Sequence, residues 1–179
     1  MSASPEDRVL SIIACGAGPA VEIATFVKLA IDRGWTVQVI STPAALEFFD
    51  QGVIEALTGI PVRSHYSAPG SPRSRIPAAI AVAPATYNTI NKWAQGISDT
   101  YALGVLAEQT CLDVPIVVLP FVNADLAGRT PFKQSVKSLR AEGVSILLGP
   151  GAIEPHQPHT GGALIDSYPW HLALDELDG

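Results

Sequence analysis

The stretch that most constrains this chain is an apolar run, Ala78 to Ala83, that stops abruptly at Pro84. A small polar turn follows, and then a helical pattern carrying Ile90, Trp93, Ala94 and Ile97. A buried strand feeding a tight polar turn at the mouth of a helix is where open α/β sheets bind ligands. The turn offers Thr86, Asn88 and Thr89, with the free backbone N–H groups of a helix start. A helix cap accounts for one of them, since Thr and Asn are good caps. Three hydrogen-bonding side chains in four positions exceed what one cap needs, and the excess points to a ligand.

The same run–turn–helix pattern recurs along the chain. Val9 to Ala14 is a continuous apolar run, as suits a strand covered on both faces of a parallel sheet. It breaks at Cys15-Gly16-Ala17-Gly18-Pro19, after which Val21, Ile23, Ala24, Val27 and Ile31 show helical spacing up to Arg33-Gly34. Trp35 to Ile40 predicts the next strand, followed by a helix that opens at Thr42-Pro43 and carries Ala44, Leu46, Phe48 and Phe49. Val53 to Leu57 predicts a short helix and Pro61 to Ser64 a short strand. His65 to Pro77 is a Pro- and Ser-rich loop. The helix after the Pro84 turn runs to about Gly96, and Ser98 and Asp99 restart one. Ile116 to Leu119 and Val144 to Leu148 predict two more strands, with a helix carrying Phe132, Val136 and Leu139 between them. Alternation of this kind predicts a three-layer, doubly wound, mostly parallel α/β sheet of Rossmann-like type. One domain spans residues 1–179, with a flexible end at 1–7 and a Pro-, Gly- and His-rich tail at 149–179 that holds an amphipathic stretch from Tyr168 to Leu177.

Four polar turns, at Cys15 to Pro19, Ser41 to Ala44, Pro84 to Thr89 and Pro120 to Asp125, therefore share one sheet edge. The first is Gly-rich and precedes a helix, which suits a phosphate. It is neither a dinucleotide fingerprint, because Val21 stands at the third Gly position, nor a P-loop, because no Lys-Ser/Thr pair follows. Thr42 can add a hydroxyl, although ordinary turn chemistry accounts for the same residues. Asn88 and the Pro84 turn can supply amide contacts to a flat ring.

Net charge is -6, which argues against a nucleic-acid surface. No apolar stretch is long enough to span a bilayer, and no basic n-region precedes an apolar core at the N-terminus. Cys15 and Cys111 both stand among apolar residues and read as buried thiols of a reducing compartment, so a cytoplasmic location is expected. His156 and His159 lie close together, but Glu154 alone beside them makes no metal site. Low charge density suggests surface covered by other subunits.

These motifs resemble the FMN-binding flavoprotein family of the peptidyl-cysteine and phosphopantothenoylcysteine decarboxylases and the flavin prenyltransferases. The match is strongest at Pro84-Ala85-Thr86-Tyr87-Asn88-Thr89 followed by Ala94-Gln95-Gly96-Ile97-Ser98-Asp99. The decarboxylase branch has Pro-Ala-Ser-Ala-Asn-Thr and Ala-Asn-Gly-Ile-Ala-Asp there. Within the family, the chain is most similar to small flavoproteins of actinobacteria. The resemblance implies FMN phosphate at Gly16, Ala17 and Thr42, with Phe48 as aromatic neighbour. It implies the flavin ring near Pro84, Ala85, Thr86, Tyr87, Asn88 and Thr89, and includes Asp99 in the cofactor motif. Pro120-Phe121-Val122-Asn123 resembles the family's Pro-x-Met-Asn motif, which implies that Asn123 holds a substrate carboxylate. The family's catalytic His would fall near Gly70, and His65 is the nearest histidine. Ala127 stands where the decarboxylases have Trp, and Gly149 to Gly162 lacks their Cys. The resemblance thus implies an oxidative decarboxylase-like enzyme acting on a small carboxylate or a peptide C-terminus, assembled as a homo-oligomer, a trimer or a dodecamer. A flavin-binding regulatory or partner subunit without turnover is the alternative. A nucleotide- or sugar-phosphate-binding protein on the same sheet is the third reading; a Tyr87 ring filling the flavin-ring position would favour it.

Overall fold

The computed structural model describes residues 8–66 and 74–179. Five parallel strands form one sheet in the order β2-β1-β3-β4-β5. They are β1 (Val9–Ala14), β2 (Thr36–Ser41), β3 (Ala79–Ala85), β4 (Ile116–Pro120) and β5 (Ser145–Ile146). β1, β3 and β4 are buried at every residue, which is why they read as unbroken apolar runs. The strand order reverses direction at β1, so β1 and β3 flank the topological switch point, the place where such sheets open a crevice.

Helices cover both faces. On one lie α1 (Ile23–Asp32), α2 (Gln51–Thr58) and α7 (His171–Asp178), whose Phe26, Val27, Ile54, Ala173 and Leu174 pack with Leu10, Ile12 and Leu119. On the other lie α3 (Tyr87–Ala94), α4 (Tyr101–Thr110) and α6 (Thr130–Ala141), whose Ile90, Trp93, Leu106 and Phe132 pack with Ile13, Ile80 and Val118. A single turn, α5 (Ala124–Gly128), leads into α6. The three-layer α/β architecture expected from the sequence is the one observed.

Several local expectations are corrected. The segment after Thr42 is a 3-10 turn, Pro43–Glu47, so Phe48 and Phe49 lie beyond it. Residues 61–64 contribute only one bridge, Arg63 against Ile40, because Pro61 cannot donate to a ladder. Thr100 rather than Ser98 or Asp99 starts α4, its side chain accepting from Leu103 N. β5 shrinks to two residues. Cys111 is exposed, because it sits at the C-cap of α4 where the chain leaves the core; Cys15 is buried as expected.

The stretch from 149 onward is no loose tail. α1 and α2 pack over β2 and each other, and the same face of β3 and β4 needs its own cover, which α7 provides. Trp170 stacks on Phe26 with ring centroids 5.1 Å apart, and the Tyr168 hydroxyl donates to the Leu119 carbonyl at 2.6 Å. At the strand-start edge Arg8 and Arg33 both pair with Asp178, and Arg33 also pairs with Asp175.

Candidate functional site

The four polar turns meet at the C-terminal ends of β1 to β4, and main-chain hydrogen bonds stitch them together. Cys15 N donates to Pro84 O (3.1 Å), Thr42 N to Ala14 O (2.9 Å) and Phe121 N to Ala85 O (2.8 Å).

In the first turn, Gly16 is pressed against the second. A Cβ there would lie 3.0 Å from Ala44 Cβ and 3.1 to 3.2 Å from its carbonyl. Gly lets the two turns approach this closely, where a Cβ would force Ala44 to give way. Ala17 is buried and extended at the start of a 3-10 turn, Gly18–Glu22. Thr42 is buried at the start of the second turn, and its side chain makes no capping bond, so the hydroxyl is not consumed by the local structure. Phe48 closes that turn, half-buried. A close-packed Gly turn at a helix start and one uncommitted hydroxyl beside it fit the phosphate of a flavin mononucleotide.

The third turn shows where its three polar side chains go. Thr86 is the N-cap of α3, its Oγ1 accepting from Thr89 N at 3.3 Å and lying 3.0 Å from Thr89 Oγ1. Cys15 lies beneath them: burial pushes its thiol above its ordinary value, while hydrogen bonds from Thr89 and Thr86 act the other way. Thr86, Thr89 and Cys15 thus form one buttress between the first and third turns. Asn88 is left exposed beside this buttress, and the capping leaves the Tyr87 and Asn88 N–H groups facing out of the helix start. Pro84 and Ala85 are buried in the strand end beneath the turn. The Tyr87 ring stacks on Phe132 of α6, centroids 5.3 Å apart and planes 18° from parallel, so it belongs to the α3–α6 packing. Asp99 pairs with Lys92 of α3 at 2.5 Å rather than with a strand-end turn.

In the fourth turn Asn123 is the N-cap of α5, its Oδ1 accepting from Leu126 N at 2.9 Å. The cap fixes the amide with its oxygen inward, which leaves the NH2 as a pure donor suited to a carboxylate. The two proposed reaction residues do not converge within one chain. Arg63, two residues before His65, lies outside β2, four strand spacings from the Asn123 line, or roughly 19 Å at the usual inter-strand distance. His65 itself is exposed, and the family's histidine position, Gly70, lies outside the described residues.

The histidine that does reach Asn123 is His156. The two form a parallel bridge, with His156 N donating to Val122 O (3.3 Å) and Ala124 N to His156 O (2.7 Å). Its ring lies on Phe121, centroids 4.7 Å apart, and burial lowers the imidazole below its ordinary value. Sequence reasoning missed this residue because its spacing to His159 drew it toward metal ligation, and nothing local signals a bridge across more than thirty positions. It also missed Cys15 as part of the buttress, where the signal was a thiol immediately before a Gly turn. Among the described residues no group of three His, Cys, Asp or Glu side chains stands close enough to hold a metal ion. No helix among them is long and apolar enough to cross a membrane.

Known proteins share this fold. The FMN-dependent cysteine decarboxylase TvaF from thioviridamide biosynthesis superposes with a TM-score of 0.72 at 20% identity, covering 96% of this chain and 99% of its own. The epidermin biosynthesis protein EpiD from Staphylococcus aureus superposes with a TM-score of 0.66 at 22% identity, covering 82% of this chain and 85% of its own. The coenzyme A biosynthesis bifunctional protein CoaBC of Vibrio vulnificus is 31% identical over 143 residues, 75% of this chain. The chain spans only about a third of the length of that relative, 34%. The flavoprotein family pattern matches residues 2–167, and with the sheet order and strand-end turns just described, this chain belongs to the flavoprotein family.

Proposed function

We propose that the protein binds FMN at the strand-end crevice and is a decarboxylase-like enzyme acting on a small carboxylate or a peptide C-terminus. The observation that carries this reading is the pairing of two features on one edge. One is the Gly16–Ala44 cradle. The other is an amide donor, Asn123, held by its own cap. Gly16, Ala17 and Thr42 would hold the phosphate, and the Thr86–Thr89 turn with Asn88 would hold the ring edge. FMN bound there would supply a two-electron oxidation of the substrate, the chemistry that makes loss of its carboxylate as carbon dioxide possible. The chain's own part is to orient: Asn123 donates to the carboxylate, and the buttress keeps the two turns at a fixed separation.

His65 enters this reading only across a subunit boundary, as the proton-handling residue of a neighbouring copy, because it is far from Asn123 in its own chain. A homo-oligomer, a trimer or a dodecamer, in the cytoplasm is part of the proposal. Exposed Tyr66 and Ile76 in the segment before β3 support it, as apolar surface that a neighbour would cover. The second reading, a flavin-binding subunit without turnover, is favoured by the same separation of His65 from Asn123 and by Ala127 in place of an aromatic residue. Tyr87, committed to Phe132, does not fill a ring site and so gives the nucleotide-binding reading no support.

The test begins with the visible spectrum of the purified protein. A flavin band is expected; a colourless protein that takes up no added FMN overturns both flavin readings. Anaerobic addition of a peptide ending in cysteine is then expected to bleach the band and release carbon dioxide. A stable band with every carboxylate tried moves the conclusion to the non-catalytic subunit.

A further inference from the structure

Four of the eleven Lys and Arg side chains, in a chain of net charge -6, lie on one short stretch: Arg129, Lys133, Lys137 and Arg140. No Asp or Glu interrupts the sequence from Leu126 to Ala141. Spacings of four, four and three residues line the cations up on one side of α6, with Arg129 at its N-cap. All four are exposed. At the helical rise the line is roughly 16 Å long.

The fold makes no use of this side of the helix. Phe132, Ser135, Val136 and Leu139 form the buried side. Tyr87 stacks on Phe132, and Ser135 Oγ donates to Asn91 Oδ1 at 2.8 Å, so α6 is bolted to α3. Among the described residues the ion pairs fall on Arg8, Arg33 and Lys92, and none on these four cations. Glu142, the next carboxylate along the chain, accepts from Ser138 Oγ at 3.3 Å instead. Arg140 is pinned, its Nη2 donating to Ile146 O (2.5 Å) and Leu148 O (3.1 Å).

The arrangement also works against the helix. Arg129–Lys133 and Lys133–Lys137 are like-charge pairs four residues apart, which repel. Arg129 and Lys133 stand at the start of α6, the positive end of its dipole, and no acidic residue offsets them in the first turn. A solvated helix face ordinarily mixes both signs; this one carries cations alone. A charge pattern that disfavours its own helix and joins no packing is the kind a sequence keeps for a partner.

We infer that the α6 line of Arg129, Lys133, Lys137 and Arg140 docks an acidic segment of a partner polypeptide. Charge complementarity names the chemistry of that partner. An extended chain advances about 3.3 Å per residue, so about five residues match the line. A long nucleic acid would also meet the rest of a chain of net charge -6, whereas a short acidic segment meets the line alone. Because α6 is held firmly from behind, docking orders only the long side chains on this side.

The test uses the full chain at low ionic strength with fluorescein-labelled hexaglutamate, its C-terminus amidated so that no terminal carboxylate contributes. A saturable rise in anisotropy is expected, and none with hexaglutamine carrying the same label. Lys133→Gln is expected to weaken binding about threefold, and Lys133→Gln with Lys137→Gln about tenfold. Lys28→Gln, which removes the same single charge from exposed α1 surface, is expected to leave it unchanged. Tm of the double variant is expected to equal or exceed that of the parent, because a repelling pair is gone. No binding of hexaglutamate, an equal loss in Lys28→Gln, or a lower Tm in the double variant overturns the inference. A labelled oligothymidylate that binds more tightly than hexaglutamate, through the same two lysines, overturns the assignment to a polypeptide. None of these readouts depends on flavin.

Discussion

Asn123 caps α5 and, in the proposed function, would also donate to a substrate carboxylate; substitution can separate the two jobs. Asp is as good an N-cap as Asn, so Asn123→Asp keeps the bond from Leu126 N and places a negative charge where a carboxylate would bind. Thermal stability is expected to stay within about 0.5 kcal/mol of the parent, while bleaching by a peptide carboxylate is lost. Asn123→Ala loses both, at about 1 kcal/mol for the cap. A calorimetric scan beside the anaerobic titration distinguishes the two. The thiols offer a second residue-level test. Cys15 is buried with its thiol pushed up, and Cys111 is exposed. The native protein is expected to titrate one thiol with a disulfide reagent, at Cys111, and to reveal Cys15 only on unfolding. Two reactive thiols in the native state would mean that the buttress under α3 is open.

Among the elements, the third turn couples local stability to the crevice. Thr86→Ala removes the cap of α3 and one partner of Thr89 and Cys15. The expected cost is about 1 kcal/mol, a fall in Tm of about 2–4 °C for a chain this long, together with weaker flavin retention. Thr86→Ser restores both; an alanine variant that holds flavin as firmly as the parent would detach the cap from the crevice. Elements of this kind were largely legible in the sequence. β1, β3 and β4 announced themselves because burial on both faces admits only apolar residues. The turns announced themselves because Gly16, Pro43, Pro84 and Asn123 each have a positional meaning. The illegible parts are those decided by distant packing. Phe48 and Phe49 continue a helical pattern, but the approach of Gly16 to Ala44 holds that segment to a tighter turn. His156 reaches Asn123 through a bridge that no local period encodes. Tyr87 reads as a site residue until Phe132, forty-five positions later, takes its ring.

Across the whole molecule, the buried ionisable groups set how the fold answers to pH. Burial raises Cys15 above 9.0 and Tyr168 well above 10.0. Both groups are held neutral in the folded state and ionise at ordinary values in the unfolded chain. Their contribution is complete below pH 9.0 and is lost as pH rises through that value and beyond. Tm is expected to be level on the neutral side and to decline above pH 9.0, less steeply in Cys15→Ala. An equally steep decline in that variant would assign the effect elsewhere. The bracket of Arg8 and Arg33 with Asp175 and Asp178 answers to a different variable. It lies at the strand-start edge, and the crevice lies at the opposite one, built from backbone amides and caps rather than ion pairs. Ionic strength is thus a dial for one end of the molecule. Added sodium chloride screens the bracket and is expected to lower Tm slightly, whereas the Asp178→Asn variant no longer responds to it in full. Flavin held at the far edge, as proposed, is then expected to be retained equally by the parent and by Asp178→Asn at any one salt concentration, because the bracket does not reach the crevice.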